Sequence, residues 1–233
     1  MNKTNLVQGS KEWLETRKRF ITASDISIIN GTNRWKSEYI LWLEKRSIKE
    51  PDKPNAAMEY GKCMEMPARE LYMANTEIYV SPTIAYSKEW KYGMASLDGI
   101  TEEWDVILEV KCPFSSKLYE NALQRKVPDY YNDQMQWQLF VTKAIRCDYF
   151  VYVSELEHML IEVFPDIPYQ EELLAKAKVF MDRILENKKP EMILSDYKFL
   201  AKIIKKSESI DWNEFTKKYD VQESEIAKYV KLA

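Results

Sequence analysis

The stretch that decides the fold runs Met94-Ala-Ser-Leu-Asp98-Gly-Ile-Thr-Glu-Glu-Trp-Asp-Val-Ile-Leu-Glu109-Val-Lys111-Cys-Pro113. Val106 to Lys111 alternates as a strand does, so Glu109 and Lys111 share one face and Leu108 and Val110 the other. Pro113 cannot donate to a ladder and helps to end the strand. Met94 to Leu97 reads as another strand, and Asp98-Gly99 as the turn that follows it. A tight hairpin between the two would bring Asp98 beside Glu109, across ten intervening residues. Charged side chains in an apolar strand are costly to bury unless they are paired or bound to metal. Two carboxylates followed by a lysine are what metal-assisted phosphodiester hydrolysis needs. Carboxylates, a backbone carbonyl such as that of Val110, and water suit Mg²⁺, which lowers the pKa of a bound water and stabilises the leaving oxygen. A hairpin carrying a surface salt bridge between Glu109 and Lys111 fits the same spacing.

Working outward, further strands are expected at Ile78–Ser81, Ile84–Tyr86, Asp148–Val153 and Met159–Val163. Helices are expected at Lys11–Arg19, from Thr22-Ala23-Ser24-Asp25, and over Ser37–Lys45, Ala56–Asn75, Tyr130–Val141 and Tyr169–Leu185. A mixed α/β (α+β) fold follows, with a central sheet flanked by helices. Residues 1–187 read as the catalytic domain and 188–233 as a helical extension of two or three short helices. That extension carries ten Lys against eight Asp and Glu.

Composition removes most other chemistries. The 233 residues contain one histidine, five glycines and three cysteines, Cys63, Cys112 and Cys147. One histidine excludes a multi-histidine zinc site. Neither GxxxxGK[ST] nor GxGxxG occurs, so no nucleotide-cradling loop is present. Three scattered cysteines argue for reduced thiols and against a disulfide framework. The N-terminus lacks an apolar signal region, and no stretch is apolar enough to span a membrane. A cytoplasmic protein is expected. Trp35, Trp42, Trp137 and Phe140, at near-helical spacing, read as core, His158 as a surface residue near a hairpin turn, and Cys112 as a packed thiol. The net charge of −3 does not by itself suggest a nucleic-acid partner, but bulk charge says nothing of a local basic lining.

Three other segments bear on the chemistry. Glu65 and Arg69 lie four apart on the long helix, as surface ion pairs commonly do. Gln134 and Gln138 occupy one helix face, which alone is polar decoration. Trp13-Leu-Glu-Thr-Arg17 leads into Ile21-Thr-Ala-Ser24-Asp25, where an arginine facing a helix start would make an anion site.

Together these segments resemble the phage recombination exonucleases of the lambda exonuclease/YqaJ type, within the PD-(D/E)xK nuclease superfamily. Trp13…Arg17…Ile21-Thr-Ala-Ser24 is similar to that group's W-x(3)-R…[IV]-T-A-S block, and Gly61-Lys62-x-x-Glu65-x-x-Ala68-Arg69 to its G-K-x-x-E-x-x-A-R helix. Ser96-Leu-Asp98-Gly99 resembles S-x-D-G. Glu109-Val-Lys111-Cys-Pro113 resembles E-[LIV]-K-C-P, and Tyr131-x-x-Gln134-x-Gln136 resembles Y-x-x-Q-x-Q. Leu97 stands where the superfamily's namesake proline would be. The five blocks occur in the group's order between about Trp13 and Val163.

The resemblance implies a PD-(D/E)xK fold and a two-metal, Mg²⁺-dependent exonuclease, with Mn²⁺ as the substitute metal. Such an enzyme digests one strand of linear duplex DNA from a 5′-phosphorylated end and leaves a 3′ single-stranded tail. It implies Asp98, Glu109 and the Val110 carbonyl as metal ligands, Lys111 as the catalytic lysine, and Glu65 and Gln134 as assistants at the same centre. Arg17, Ser24, Ser96 and Lys117 match positions that receive the terminal phosphate. Lys117 stands in place of an arginine and cannot make its bidentate fork. The implied partners are double-stranded DNA ends, a single-strand annealing protein, and two further copies in a trimeric ring, in the cytoplasm of a bacterial host of a phage or prophage. An endonuclease of restriction or junction type and a non-catalytic DNA-binding relative are the alternatives. The first needs no end-binding pocket, and the second no Asp98, Glu109 and Lys111.

Overall fold

A computed structural model of the protein describes residues 6–114, 116–207 and 209–230. Six strands form one mixed sheet: β1 (Ile21–Thr22), β2 (Ser81–Tyr86), β3 (Gly93–Ile100), β4 (Val106–Lys111), β5 (Arg146–Tyr152) and β6 (His158–Val163). The strand order is β1-β3-β4-β5-β6, and β2 also pairs with β3. β3 and β4 form the antiparallel hairpin that the spacing required, with Gly99 opposite Leu108. β4 and β5 run parallel, Glu109 opposite Tyr149. A parallel pair needs a crossover, and α5 (Ser116–Leu123) and α6 (Asp129–Thr142) supply it.

The remaining helices are α1 (Lys11–Lys18), α2 (Ala23–Ile29), α3 (Glu38–Lys45), α4 (Ala56–Thr76), α7 (Ile167–Leu185), α8 (Leu194–Lys206), α9 (Trp212–Tyr219) and α10 (Glu223–Val230). Short polar side chains start several of them by accepting an orphan backbone N–H. Ser10 accepts from Trp13 N at 3.1 Å, Ser37 from Ile40 N at 3.1 Å, and Asn55 from Met58 N at 2.9 Å.

The alternation along β4 sorts its side chains between two apolar clusters. Leu108 and Val110 pack with Ala68 and Tyr72 of α4 and Phe150 and Tyr152 of β5. Ile107, on the opposite face, belongs to the larger cluster with Met135, Trp137 and Leu139 of α6. Glu109 shares the Ile107 face, so its carboxylate lies inside the protein, 1% exposed. A carboxylate there must be paired, which already counts against the surface-salt-bridge reading.

The structure corrects several expectations. Ile78–Ser81 and Ile84–Tyr86 are not two strands: β2 is one strand, with a register shift between Ser81 and Thr83. β3 continues past Leu97 to Ile100, so Asp98 and Gly99 sit within the strand. The turn comes later. The Thr101 hydroxyl donates to Asp105 at 2.5 Å, and Trp104 adopts φ 64°. Gly99 is required for a different reason, since a Cβ there would meet Val80 Cγ2 at 2.7 Å. α5 and the two-residue β1 were not anticipated, and β1 is too short to show alternation.

Trp42, Trp137 and Phe140 are core, as expected, but Trp35 is 66% exposed. It lies in the loop before α3 rather than on a helix, so helical spacing did not apply to it. His158 is half-buried at the start of β6, its Nε2 3.1 Å from Asn75 Nδ2. Among the described residues the tail folds as three helices, and Leu200, Ile204, Phe215, Tyr219 and Ile226 on them, with Val221 between α9 and α10, join the main core. The Tyr39 hydroxyl donates to the Tyr219 carbonyl at 2.7 Å. Among the described residues no helix is long and apolar enough to cross a membrane.

Candidate active site

The hairpin brings the two carboxylates together through one backbone bond. Val110 N donates to Asp98 Oδ2 at 2.9 Å, which fixes the Asp98 side chain against β4. Burial pushes the Asp98 carboxyl well above the usual carboxylate range, and the neighbouring charges of Glu109 and Glu65 add to that. From the other face, α4 contributes Arg69, which donates to the Asp98 carbonyl at 2.5 Å and to Glu65 at 3.1 Å. The Glu65–Arg69 pair is therefore a strut between helix and strand, and Arg69 is largely buried.

Glu109 is held at both oxygens. Oε1 accepts from Lys111 Nζ and from Gln134 Nε2, the latter at 2.6 Å. Oε2 accepts from Gln138 Nε2 at 2.6 Å. Burial alone would depress the Lys111 ammonium. The charges of Glu109, Tyr131 and Asp98 and the hydrogen bond to Glu109 together outweigh it, so its pKa rises and the lysine stays protonated. Lys111 Nζ also sits 4.7 Å from the centre of the Tyr131 ring, a favourable cation–π placement. Burial pushes the adjacent Cys112 thiol up to about 12, in keeping with a packed, unreactive sulfur.

A second cluster adjoins the first through β3. Arg17 donates to Ser24 Oγ at 2.7 Å and Thr22 Oγ1 at 3.2 Å, and its guanidinium lies 4.5 Å from the centre of the Trp13 ring. Trp13 Nε1 donates to Ser96 Oγ at 3.0 Å. Arg17, Ser24 and Ser96 thus converge as expected, with Trp13 and Thr22 between them. Ser96 and Asp98 are alternate residues of one strand and project from the same face. Behind the cluster, Lys45 Nζ contacts Asp25 Oδ2 at 2.6 Å and two backbone carbonyls, those of Arg17 and Phe20. Asp25 also caps α2 by accepting from Thr22 N and Oγ1. Burial raises the Asp25 pKa, but the charges of Lys45 and Arg17 more than cancel this and the net shift is downward. Lys45 thereby satisfies Asp25, and among the described residues Arg17 makes no direct ion pair with a carboxylate. Lys117 is exposed in the first turn of α5, with no hydrogen bond to the Arg17 cluster among the described residues.

Two sequence readings fell short here. Gln138 passed as decoration, yet it is wholly buried and clamps Glu109. Its flanks, Trp137, Leu139, Phe140 and Val141, were the available signal: a lone amide within an apolar run needs a buried partner. Trp13 appeared only as part of a sequence block, although its indole links α1 to β3.

The donor set suits a hard divalent cation. Asp98 and Glu109 place two carboxylates in a buried setting, an excess of negative charge that such a cation would relieve. Among the described residues no three His, Cys, Asp or Glu side chains form a ready-made cage. A cation here would draw on two carboxylates, a backbone carbonyl and water, as Mg²⁺ characteristically does.

The sequence and the fold are similar to those of known proteins. Residues 12–145 match the model of the YqaJ-like viral recombinase domain. The chain belongs to that family. Among curated relatives it is 28% identical over 155 residues to the uncharacterized protein R354 of Acanthamoeba polyphaga mimivirus, which covers 61% of this chain and 28% of that protein. It is 29% identical over 140 residues to the uncharacterized protein YqaJ of Bacillus subtilis, covering 59% of this chain and 44% of the relative. The chain therefore spans less than half the length of these two relatives. In fold it resembles the crystal structure of the alkaline exonuclease LHK-Exo from Laribacter hongkongensis. The TM-score is 0.68 at 22% identity, over 77% of this chain and 94% of that one. The helix-flanked mixed sheet of this YqaJ-like protein is the PD-(D/E)xK fold.

Proposed function

We propose that this YqaJ-family protein is a Mg²⁺-dependent 5′→3′ exonuclease acting on linear double-stranded DNA from a 5′-phosphorylated end. One observation carries the reading: the Arg17–Ser24–Ser96 cluster adjoins the Asp98–Glu109–Lys111 centre through alternate residues of β3. An anion seat beside a metal-competent carboxylate pair is what an enzyme needs if it recognises a strand end and cuts nearby. LHK-Exo is described as an alkaline exonuclease, and the shared fold supports the same class of reaction here.

Asp98, Glu109 and the Val110 carbonyl would hold the metal, with Mn²⁺ able to replace Mg²⁺. When bound, the metal lowers the pKa of a water and offsets charge on the leaving oxygen. Lys111, protonated beside Glu109, is placed to stabilise negative charge on the phosphoryl oxygens. Gln134 and Glu65 flank the centre from α6 and α4 and would orient water. Arg17, Ser24 and Ser96 would receive the terminal phosphate, and exposed Lys117 would approach it as a point charge. A trimeric ring, a single-strand annealing partner, a role in phage-type recombination and a bacterial cytoplasmic setting complete the proposal. An endonuclease has no use for the end-phosphate seat, and a non-catalytic relative none for the carboxylate–lysine centre.

The test is digestion of linear duplex bearing 5′-phosphate or 5′-hydroxyl ends, and of closed circular duplex, with Mg²⁺ or with EDTA. Metal-dependent loss of the linear DNA, faster from 5′-phosphate, is expected. Cutting of the closed circle would establish an endonuclease instead, and no cutting of any substrate would refute catalysis.

A further inference from the structure

Beside the centre lies an aromatic track that the proposed chemistry does not use. Tyr131, whose ring faces Lys111, lies 4.3 Å from the Tyr130 ring. Tyr130 in turn meets Trp35 edge-on, with ring centres 5.0 Å apart. The track thus leads from the lysine to the exposed Trp35 in ring-to-ring steps of 4.3 and 5.0 Å. Arg34 adds a cation 5.1 Å from the Trp35 ring.

Trp35 is exposed but not loosely held. Asn33 Oδ1 accepts from the backbone N–H of Trp35 at 2.9 Å and of Lys36 at 3.1 Å. The backbone N–H groups of Thr32 and Asn33 both donate to the Ser27 carbonyl at 3.0 Å. The Thr32 hydroxyl donates to buried Asp133 of α6 at 2.6 Å. Five polar bonds thus fix a short loop whose most prominent side chain is a large ring facing solvent. Burying that ring would have been favourable; the fold instead anchors it in the open.

We propose that Trp35 and Tyr130 form a stacking platform for an unpaired nucleobase of the strand served by the carboxylate centre. Base–aromatic stacking is indifferent to sequence, because every base has a π-face, and an adjacent arginine strengthens it. Those properties suit an enzyme that must grip each successive nucleotide at a fraying end. The argument for a nucleobase over a protein side chain is the unbroken run of rings ending on Lys111. The inference rests on the nuclease reading above and names a substrate subsite for it.

The experiment uses the full chain in EDTA, so that no DNA is cut. The ligand is a 5′-phosphorylated duplex with a 3′ fluorophore and two mismatched, hence unpaired, 5′ nucleotides, either natural or abasic. Binding is read by fluorescence anisotropy for the parent protein, Trp35→Ala and Trp35→Phe. Because Trp35 is exposed, truncation leaves the core intact, which a thermal melt confirms. Trp35→Ala should weaken binding of the natural end about 10-fold, and Trp35→Phe should recover most of that. The abasic end should cost the parent at least that factor and cost Trp35→Ala much less, only what Tyr130 alone still contributes, since most of the same contact is already gone. Parent-like binding by Trp35→Ala, or losses that multiply, would overturn the platform while leaving the nuclease reading intact. A parent protein that neither binds nor digests DNA ends would overturn both.

Discussion

Replacing Gln138 with leucine tests whether the buried carboxylate of Glu109 is held by the network seen here. Leucine is close to glutamine in volume, so local packing changes little, and what is lost is the bond to Glu109 together with the weak one that Cys147 Sγ donates to Gln138 Oε1 at 3.8 Å. In the parent, Glu109 is 1% exposed and its Oε2 accepts from Gln138 Nε2 at 2.6 Å. Lys111 and Gln134 are both on Oε1, so neither replaces the lost donor without moving the carboxylate. A hydrogen bond to a charged group contributes about 1.5–3 kcal/mol, and little water can reach the abandoned oxygen. Melting should therefore fall by roughly 5–10 °C for a chain of this size, as read by circular dichroism without metal. Nuclease turnover on linear duplex should fall about 10-fold or more, because the freed carboxylate no longer presents a fixed edge. Divalent cation should raise the melting temperature of the variant more than that of the parent, by giving Oε2 a new partner. A variant that melts and digests DNA as the parent does would refute the clamp.

Three further outcomes are expected. Lys111→Ala should abolish metal-dependent release of nucleotides while DNA-end binding by anisotropy survives; full activity would sink the active-site assignment. Arg17→Ala should erase most of the preference for 5′-phosphate over 5′-hydroxyl ends in a digestion assay, and an unchanged ratio would refute the phosphate seat. Lys45→Met strands the buried Asp25 and should destabilise the fold by about 3–5 kcal/mol in urea denaturation. Adding Asp25→Asn to it should recover part of that loss, and a double variant worse than the single one would contradict the pairing.

The centre was legible in the sequence because its parts sit on regular structure. Strand alternation fixes which face Glu109 and Lys111 share, and hairpin geometry brings Asp98 to them. The turn was misplaced because Gly99 invites a turn reading, whereas it is small to let Val80 pass. Gln138 was missed because its role depends on how α6 lies over β4, a tertiary fact that helix periodicity does not encode. Trp35 was misassigned for the opposite reason, a periodicity imposed on a loop. The strut from Arg69 to the Asp98 carbonyl was equally hidden. Glu65 and Arg69 four apart look the same on a surface helix as on one that braces a strand.

The placement of Ser96 and Asp98 on alternate positions of β3 has a metric consequence. Two residues of a strand advance about 7 Å, close to the separation of consecutive phosphates along a DNA strand. On the proposed reading, β3 is a gauge with the anion seat at one mark and the hydrolytic centre at the next. A terminal phosphate at rest on the first mark would present the very next linkage at the second. The bite would then be a single nucleotide, set by the repeat of the polypeptide itself, and any lengthening of β3 between the two marks would change the size of the product.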